Sequence, residues 1–264
     1  MLAPFSSMLR GLAAAARQPR VLAETGHRPW PVPDRRWLMA QTWADLLFAH
    51  WRVDAGELRR VIPAQLPVDT FDGSAWIGVT PFRVEGFRLR HTAPLPLIHA
   101  FPELNVRTYV RIGDRPGIHF FSLDAGSRFA VESARRIYRV PYFHARMAMR
   151  GRGQRIEFES ERTQSDGPPA RLAIRYEAAG PPSEPAPGSL EHFLTERYCL
   201  YTLDDRGRVL RGDIHHPPWR IRPASAELEH NTMGRQIGLD LAGDPLLHLA
   251  ERQDVVFWKL HPAG

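Results

Sequence analysis

Tight Gly-containing turns recur along this chain of 264 residues, each set between runs of strand-forming residues. Phe71-Asp72-Gly73, Gly113-Asp114-Arg115-Pro116-Gly117, Gly151-Arg152-Gly153 and Asp204-Asp205-Arg206-Gly207 are four such signals. Each predicts a hairpin, because Gly, Asn and Asp accept the backbone conformations that join antiparallel strands. The flanking runs predict strands over 74–90, 103–112, 118–124, 142–150, 155–161, 171–178, 198–203, 208–215, 221–229 and 255–260, with a further strand over 36–42. Short helices fall between them. Asp54 and Glu57 have capping-box spacing ahead of Pro63, and Ser189 can cap a second helix. Residues 127–138 carry helical spacing through Phe129, Val131, Ala134 and Ile137, a short helix is expected over 233–237, and Ala44–Trp51 reads as helix-compatible. No alternation of strand and helix with a Gly-rich phosphate loop occurs, which excludes a dinucleotide fold. The pattern points to an α+β chain that is mainly antiparallel β, an open sheet or partly closed barrel with a few short helices.

Apolar residues make up 43% of the chain, enough for one sizeable core, and no linker divides it. Residues 27–264 are expected to form a single domain. Residues 1–26, rich in Ala and Arg, read as a flexible N-terminal extension with at most a short helix, since the alanine stretch is too short and too weakly apolar for a secretory leader. The net charge of +6 comes from arginine, Lys259 being the only lysine. The arginines are scattered, often beside Asp or Glu, and no block of five or six basic residues or nucleic-acid-binding signature occurs. No nucleic-acid partner is expected. A single cysteine, Cys199, suits a buried thiol and a cytoplasmic setting, and no apolar run is long enough for a membrane span. The Trp- and Pro-rich ends are of a kind that covers a neighbouring subunit, which leaves room for a homodimer.

Three stretches carry candidate chemistry. If 101–109 is a strand, Glu103, Asn105, Arg107 and Tyr109 share one face and Leu104, Val106 and Thr108 the other. Two readings stay open: the polar row meets solvent, or it lines a barrel interior where a carboxylate, an amide and a guanidinium converge on an anionic ligand. In 141–147, Tyr142, His144 and Arg146 share a face, and a histidine there could move protons near neutral pH. In 213–219, Asp213 and His215 could form an orienting pair, but His215 and His216 face opposite ways on a strand and no third or fourth ligand lies nearby. No metal or other cofactor is therefore expected. No GxSxG elbow supports a serine nucleophile.

The segments HRPWPVPDRRWLMAQTWADLLFAHW, TFDGSAWIGVTPFR, FPELNVRTYVR, VPYFHARM, GSLEHFLTERYCLYT and HHPPW, spread from about His27 to His261, resemble the YqjF-like bacterial family of unknown function. That family is grouped with the acetoacetate-decarboxylase-like superfamily. The resemblance implies a cone-shaped, partly closed antiparallel barrel with an interior cavity. The enzyme relatives use a Schiff-base lysine that follows a proline at the start of a strand. The analogous place here follows Pro141 and holds Tyr142, Phe143 and His144. Without a lysine there, the resemblance does not extend to Schiff-base decarboxylation. Its glutamate corresponds loosely to Glu103. The expectation is a chain that holds a small organic acid or carbonyl compound, either as an acid/base enzyme or as a noncatalytic binding or sensing module. Glu103, His144 and Tyr142 are the candidate proton-transfer groups, and Arg107, Asn105 and Arg146 the candidate ligand contacts.

Overall fold

The computed structural model describes residues 3–94, 100–128, 131–132, 135, 138–153, 155–164 and 167–263. Twelve strands form one sheet: β1 (Met39–Val53), β2 (Ala75–Leu89), β3 (Ala100–Ile112), β4 (Arg115–Ala125), β5 (Tyr142–Arg150), β6 (Ile156–Arg162), β7 (Arg171–Ala178), β8 (Cys199–Leu203), β9 (Val209–His215), β10 (Arg222–Asn231), β11 (Leu246–Phe257) and β12 (His261–Pro262). Helices are few and short: α1 (Ala3–Arg17), α2 (Ala55–Val61) and α3 (Leu190–Thr195). Asp54 caps α2 by accepting from the Glu57 N–H, and Ser189 caps α3 by accepting from the His192 N–H.

The sheet closes on itself twice. Pairing runs β9-β8-β4-β3-β2-β1-β11-β10-β7-β6-β5, and almost every neighbour is antiparallel. A parallel contact of β4 with β5, Leu123 beside Tyr142 and Asp124 beside Phe143, completes a barrel of nine strands. A contact of β9 with β11, through Val256–His215 and Phe257–Ile214, completes a smaller ring of β9, β8, β4, β3, β2, β1 and β11. Strands β1 to β4 and β11 belong to both rings. Leu47, Ala49, Ile77, Val79, Leu104 and Val106 turn to the nine-strand side and meet Phe158, Ile174 and Tyr176 in one apolar core. Phe48, Phe82 and Trp219 pack together on the other side, inside the smaller ring.

This arrangement overturns one expectation. Ala44–Trp51 is not helical but lies within the long strand β1. A wall buried on both faces is apolar on both, so it lacks the alternation that marks a half-exposed strand. Residues 3–23 also differ from a frayed end, forming α1 and a 3-10 turn over Gln18–Ala23. Gln18 is buried, donating to the Gly86 carbonyl at 3.0 Å and accepting from Arg88 Nε at 2.9 Å. Much of the helix expected over 127–138 lies outside the described residues.

The smaller ring is joined at β4 and β8 by one parallel residue pair, Ile118 with Leu200. Gly117 sits at that seam. A Cβ there would stand 2.7 Å from the Tyr201 ring and 2.8 Å from Cys199 Sγ. Gly117→Ala should therefore destabilise the protein by about 1–3 kcal/mol through overpacking, read as a lower urea midpoint. Gly126→Ala, whose Cβ would have nothing nearer than 3.5 Å, should leave the midpoint close to wild type.

Candidate functional site

Strand β3 supplies the centre of the site. Because β3 is covered on both faces, its polar row is buried: Glu103 is 4%, Asn105 7%, Arg107 7% and Tyr109 0% exposed. Gly78, the partner of Arg107 on β2, makes the row possible. A side chain there would press on the His50 ring at 3.1 Å and on the Arg107 stem at 3.4 Å. Glycine lets those two groups lie side by side.

Arg107 lies over the Phe48 ring, its guanidinium carbon 5.2 Å from the centroid, and donates through Nη2 to the Leu194 carbonyl at 3.3 Å. Its Nε is buried without a partner. Among the described residues no carboxylate stands within ion-pair distance of it, whereas buried Arg197 and Arg162 pair with Asp69 and Asp124. An enclosed guanidinium with no counter-charge is costly to keep. Tyr109 Oη also donates to the Leu194 carbonyl, at 2.9 Å, so it accepts from His50 Nε2 at 2.7 Å. Burial pushes the His50 pKa well below its ordinary value, and the Arg107 and His248 charges push the same way. His50 is thus a neutral prop, not a base.

Beside Arg107 is a cavity of about 30 Å³, walled by Trp43, Phe82, Phe120 and Trp219 and lined on its polar side by Thr80, Asn105 and Arg107. Four buried polar atoms of these residues lack partners: Thr80 Oγ1, Asn105 Oδ1, Arg107 Nε and Trp219 Nε1. Buried polar groups normally find a partner. A cluster of unmet donors and acceptors around one hollow is what a site for a polar ligand looks like before it is filled.

Glu103 lies one strand repeat beyond Asn105 on the same face of β3, about 7 Å along it. It accepts from Tyr142 Oη at 3.2 Å. Burial raises its pKa to about 8; the Tyr142 bond opposes that shift and nearby Asp124 adds to it. Burial likewise raises Asp124 to about 6, against the pull of Arg162, whose Nε donates to it at 2.9 Å. The contact between Glu103 and Tyr142 follows from the parallel closure of β4 on β5, which brings Pro141 and Tyr142 against Leu123.

The other candidates lie elsewhere. β4 ends at Ala125, opposite His144, so beyond that point this edge of β5 is uncovered. His144 is partly exposed with its Nδ1 2.8 Å from Thr163 Oγ1, and Arg146 is exposed and paired with Glu161 at 2.9 Å. The structure does not bring these two to Glu103. Asp213 is taken up by Arg35, Arg211 and His261, and His215 by Arg28 and the Val21 carbonyl. Among the described residues no group of three or more His, Cys, Asp or Glu could hold a metal. Cys199 is fully buried, and burial pushes its thiol up to about 12. Residues missed by sequence reasoning are Thr80, His216, Trp219 and Arg197, which line the cavity from three further segments. Their segments TFDGSAWIGVTPFR, GSLEHFLTERYCLYT and HHPPW drew notice in the sequence as marks of a family resemblance, and HHPPW also as a metal-binding candidate, but not as walls of a cavity.

The doubly closed sheet has the architecture of acetoacetate-decarboxylase-like proteins. It is similar to the enduracididine biosynthesis enzyme MppR solved with the condensation product of pyruvate and imidazole 4-carboxaldehyde (TM-score 0.62, 12% identity, covering 90% of this chain and 96% of that one). It is also similar to acetoacetate decarboxylase from Legionella pneumophila (TM-score 0.57, 10% identity, 89% and 93%) and to an acetoacetate decarboxylase-like enzyme from Sphingomonas wittichii RW1 (TM-score 0.55, 13% identity, 90% and 100%). At these identities the likeness is one of fold. The chain belongs to the DUF2071 family of uncharacterized conserved proteins, whose profile matches residues 40–254. It is 45% identical over 230 residues to the uncharacterized protein YqjF of Bacillus subtilis (strain 168), covering 87% of this chain and 94% of that one.

The titration of Glu103 sets a sign for stability. Its folded pKa of about 8 lies above the ordinary 4.5, so between those values the folded state holds a proton that the unfolded state has released. Stability is then full at low pH and falls as pH rises toward 8. Glu103→Gln should flatten that decline, measured as the difference in urea midpoint between pH 5 and pH 8. An unchanged slope would show that Glu103 ionises normally.

Proposed function

We propose that this protein binds a small organic acid inside the smaller ring, with Arg107 as the clamp for its carboxylate. The observation that carries the reading is the buried guanidinium without a counter-charge. A carboxylate would supply that charge and meet the unpartnered Nε. Trp219 Nε1 and Thr80 Oγ1 can donate to further oxygens, and Asn105 can accept from a hydroxyl. A fold neighbour solved in complex with pyruvate supports a small acid as the class of ligand.

The chemistry on offer is acid/base without a Schiff base. Lys259 lies on the exposed surface after β11, so no lysine amine is available to the cavity. Below about pH 8 Glu103 is a neutral carboxylic acid. Tyr142 donates to its Oε2, and the acidic proton on Oε1 would be given to a carbonyl oxygen that reaches past Asn105, since Glu103 does not itself line the cavity. His144 and Arg146, at the surface, have no part in this reading. A noncatalytic binding module would use the same clamp and differ only in returning its ligand unchanged.

Arg107→Met separates a ligand clamp from a structural residue. Removing a buried, uncompensated charge should leave the ligand-free protein as stable as wild type or more so. The stabilisation by pyruvate in a thermal shift series should vanish, with affinity reduced roughly 30-fold or more. A variant that unfolds early yet still responds to pyruvate would mark Arg107 as part of the scaffold. Glu103→Gln should keep binding and lose any turnover seen by NMR of the incubated acid.

A further inference from the structure

The cavity beside Arg107 is too small for most acids. Its roughly 30 Å³ is room for about two or three water molecules, so it can take a carboxylate head and little else. A second hollow of about 300 Å³ lies next to it, lined by His27, Phe71, Arg111, His192, Phe193 and Tyr198 among others. Arg197 lines both spaces. Helix α3 and the residues just after it form the partition: His192, Phe193, Glu196 and Tyr198 face the outer chamber, and Thr195 faces the inner cavity.

The outer chamber is built of rings. Phe71 and Phe193 stand with centroids 5.6 Å apart, and Tyr198 is tilted against His27 at 5.6 Å. His27 Nε2 is 2.9 Å from the His216 carbonyl, which only accepts, so Nε2 carries the hydrogen. Its Nδ1 is then an acceptor, buried and without a partner. The partition is also able to give way. Arg197, 4% exposed, is held by Asp69 at 2.6 Å, by the Phe193 carbonyl at 2.7 Å and by the Phe193 ring, 4.2 Å from its guanidinium carbon. Asp69 also takes two hydrogen bonds from Arg111, at 3.0 and 3.3 Å. If Arg197 swings aside, Asp69 keeps Arg111 as a charged partner, and the Arg197 guanidinium exchanges Asp69 for the ligand's carboxylate or for solvent, so neither charge is left buried alone.

The geometry points to a two-part ligand: an acid whose carboxylate sits on Arg107 and whose flat aromatic ring occupies the outer chamber between Phe71, Phe193 and Tyr198, with Arg197 moving to join the two spaces. This rests on the clamp reading above and names the class of acid. A three-carbon acid uses the head site alone. An aryl-substituted one gains ring contacts, each expected to tighten binding roughly two- to tenfold.

Calorimetric titration with lactate and with 3-phenyllactate, on wild type and on the His192→Trp, Phe71→Ala and Arg107→Met variants, tests this. Phenyllactate should bind wild type roughly tenfold more tightly than lactate. His192→Trp fills the chamber and should abolish that advantage while leaving lactate binding intact. Phe71→Ala should weaken phenyllactate a few-fold and lactate not at all. Arg107→Met should abolish both. Equal affinity for the two acids in wild type, with both lost in Arg107→Met, overturns the two-part ligand and keeps the clamp. So does equal weakening of both acids by His192→Trp. Absence of binding by either acid to wild type overturns the clamp and the inference together.

Discussion

Five strands serve two rings, and this sharing dictates most of what the molecule can do. A sheet with one wet face can leave a polar row to water. The wall of β1 to β4 and β11 is covered over most of both faces, the nine-strand barrel lying on one side and the smaller ring on the other, with Glu251 and Arg252 of β11 left exposed. Every buried polar side chain on the wall must find an internal partner or stay unsatisfied at a cost. Most succeed: Thr108 donates to the Trp76 carbonyl and Tyr109 to the Leu194 carbonyl. Thr80, Asn105 and Arg107 each keep an atom unmet, and they do so around one hollow. The local conformation of β1 helps to keep that hollow populated. Asp45 has φ 53°, and a bulge interrupts the pairing of β1 with β2 there. Trp43 precedes the bulge and Leu46 follows it three residues on, yet both line the cavity. Without the extra residue, strict alternation would send Leu46, Phe48 and His50 into the other barrel.

Much of this frame is legible in the sequence, because hairpins and caps are local. The turns at Gly113 and Gly207 take the positive φ their glycines permit, and the strands on either side pair as neighbours. The alternation of 103–109 correctly sorts Leu104 and Val106 from Asn105 and Arg107. What that alternation cannot say is whether the polar side is wet, since closure of a sheet is a long-range property. The parallel contacts of β4 with β5 and with β8 involve a few residue pairs and leave no periodic mark. The same gap explains His144 and Arg146. They share strand parity with Tyr142, but Tyr142 lies opposite Leu123 inside the closure, whereas His144 lies opposite Ala125, the last residue of β4, and Arg146 lies beyond it. Ala44–Trp51 misleads for the converse reason, as burial on both faces erases the period on which the choice between helix and strand depends.

The candidate chemistry follows from the charge inventory. A Schiff-base site needs an amine whose pKa can be lowered, and lysine adapts in that way. An arginine in such a wall cannot lose its proton, so it must be neutralised by a partner. Arg162 and Arg197 have Asp124 and Asp69 for that purpose. Arg107 has aromatic faces, one carbonyl and empty space. Glu103 offers no neutralisation either, since burial holds it in the protonated form up to about pH 8. The wall thus holds a fixed positive charge and a neutral acid on one face of a single strand, which is the pairing needed to grip an anion and polarise a carbonyl close by.

The two rings also divide labour by how well they are sealed. The nine-strand barrel is filled by the side chains of its own strands, Phe158, Ile174 and Tyr176 among them. The smaller ring is closed by one residue pair at β4 and β8 and by two at β9 and β11. Its remaining cover includes the segment of His216 and Trp219 and α3, a helix of six residues, both of which complete the wall with side chains and not with ladder hydrogen bonds. Ladder-poor elements open at lower free energy than the sheet beside them. The unneutralised guanidinium of Arg107 therefore lies behind a part of the wall that ladder hydrogen bonds do not hold.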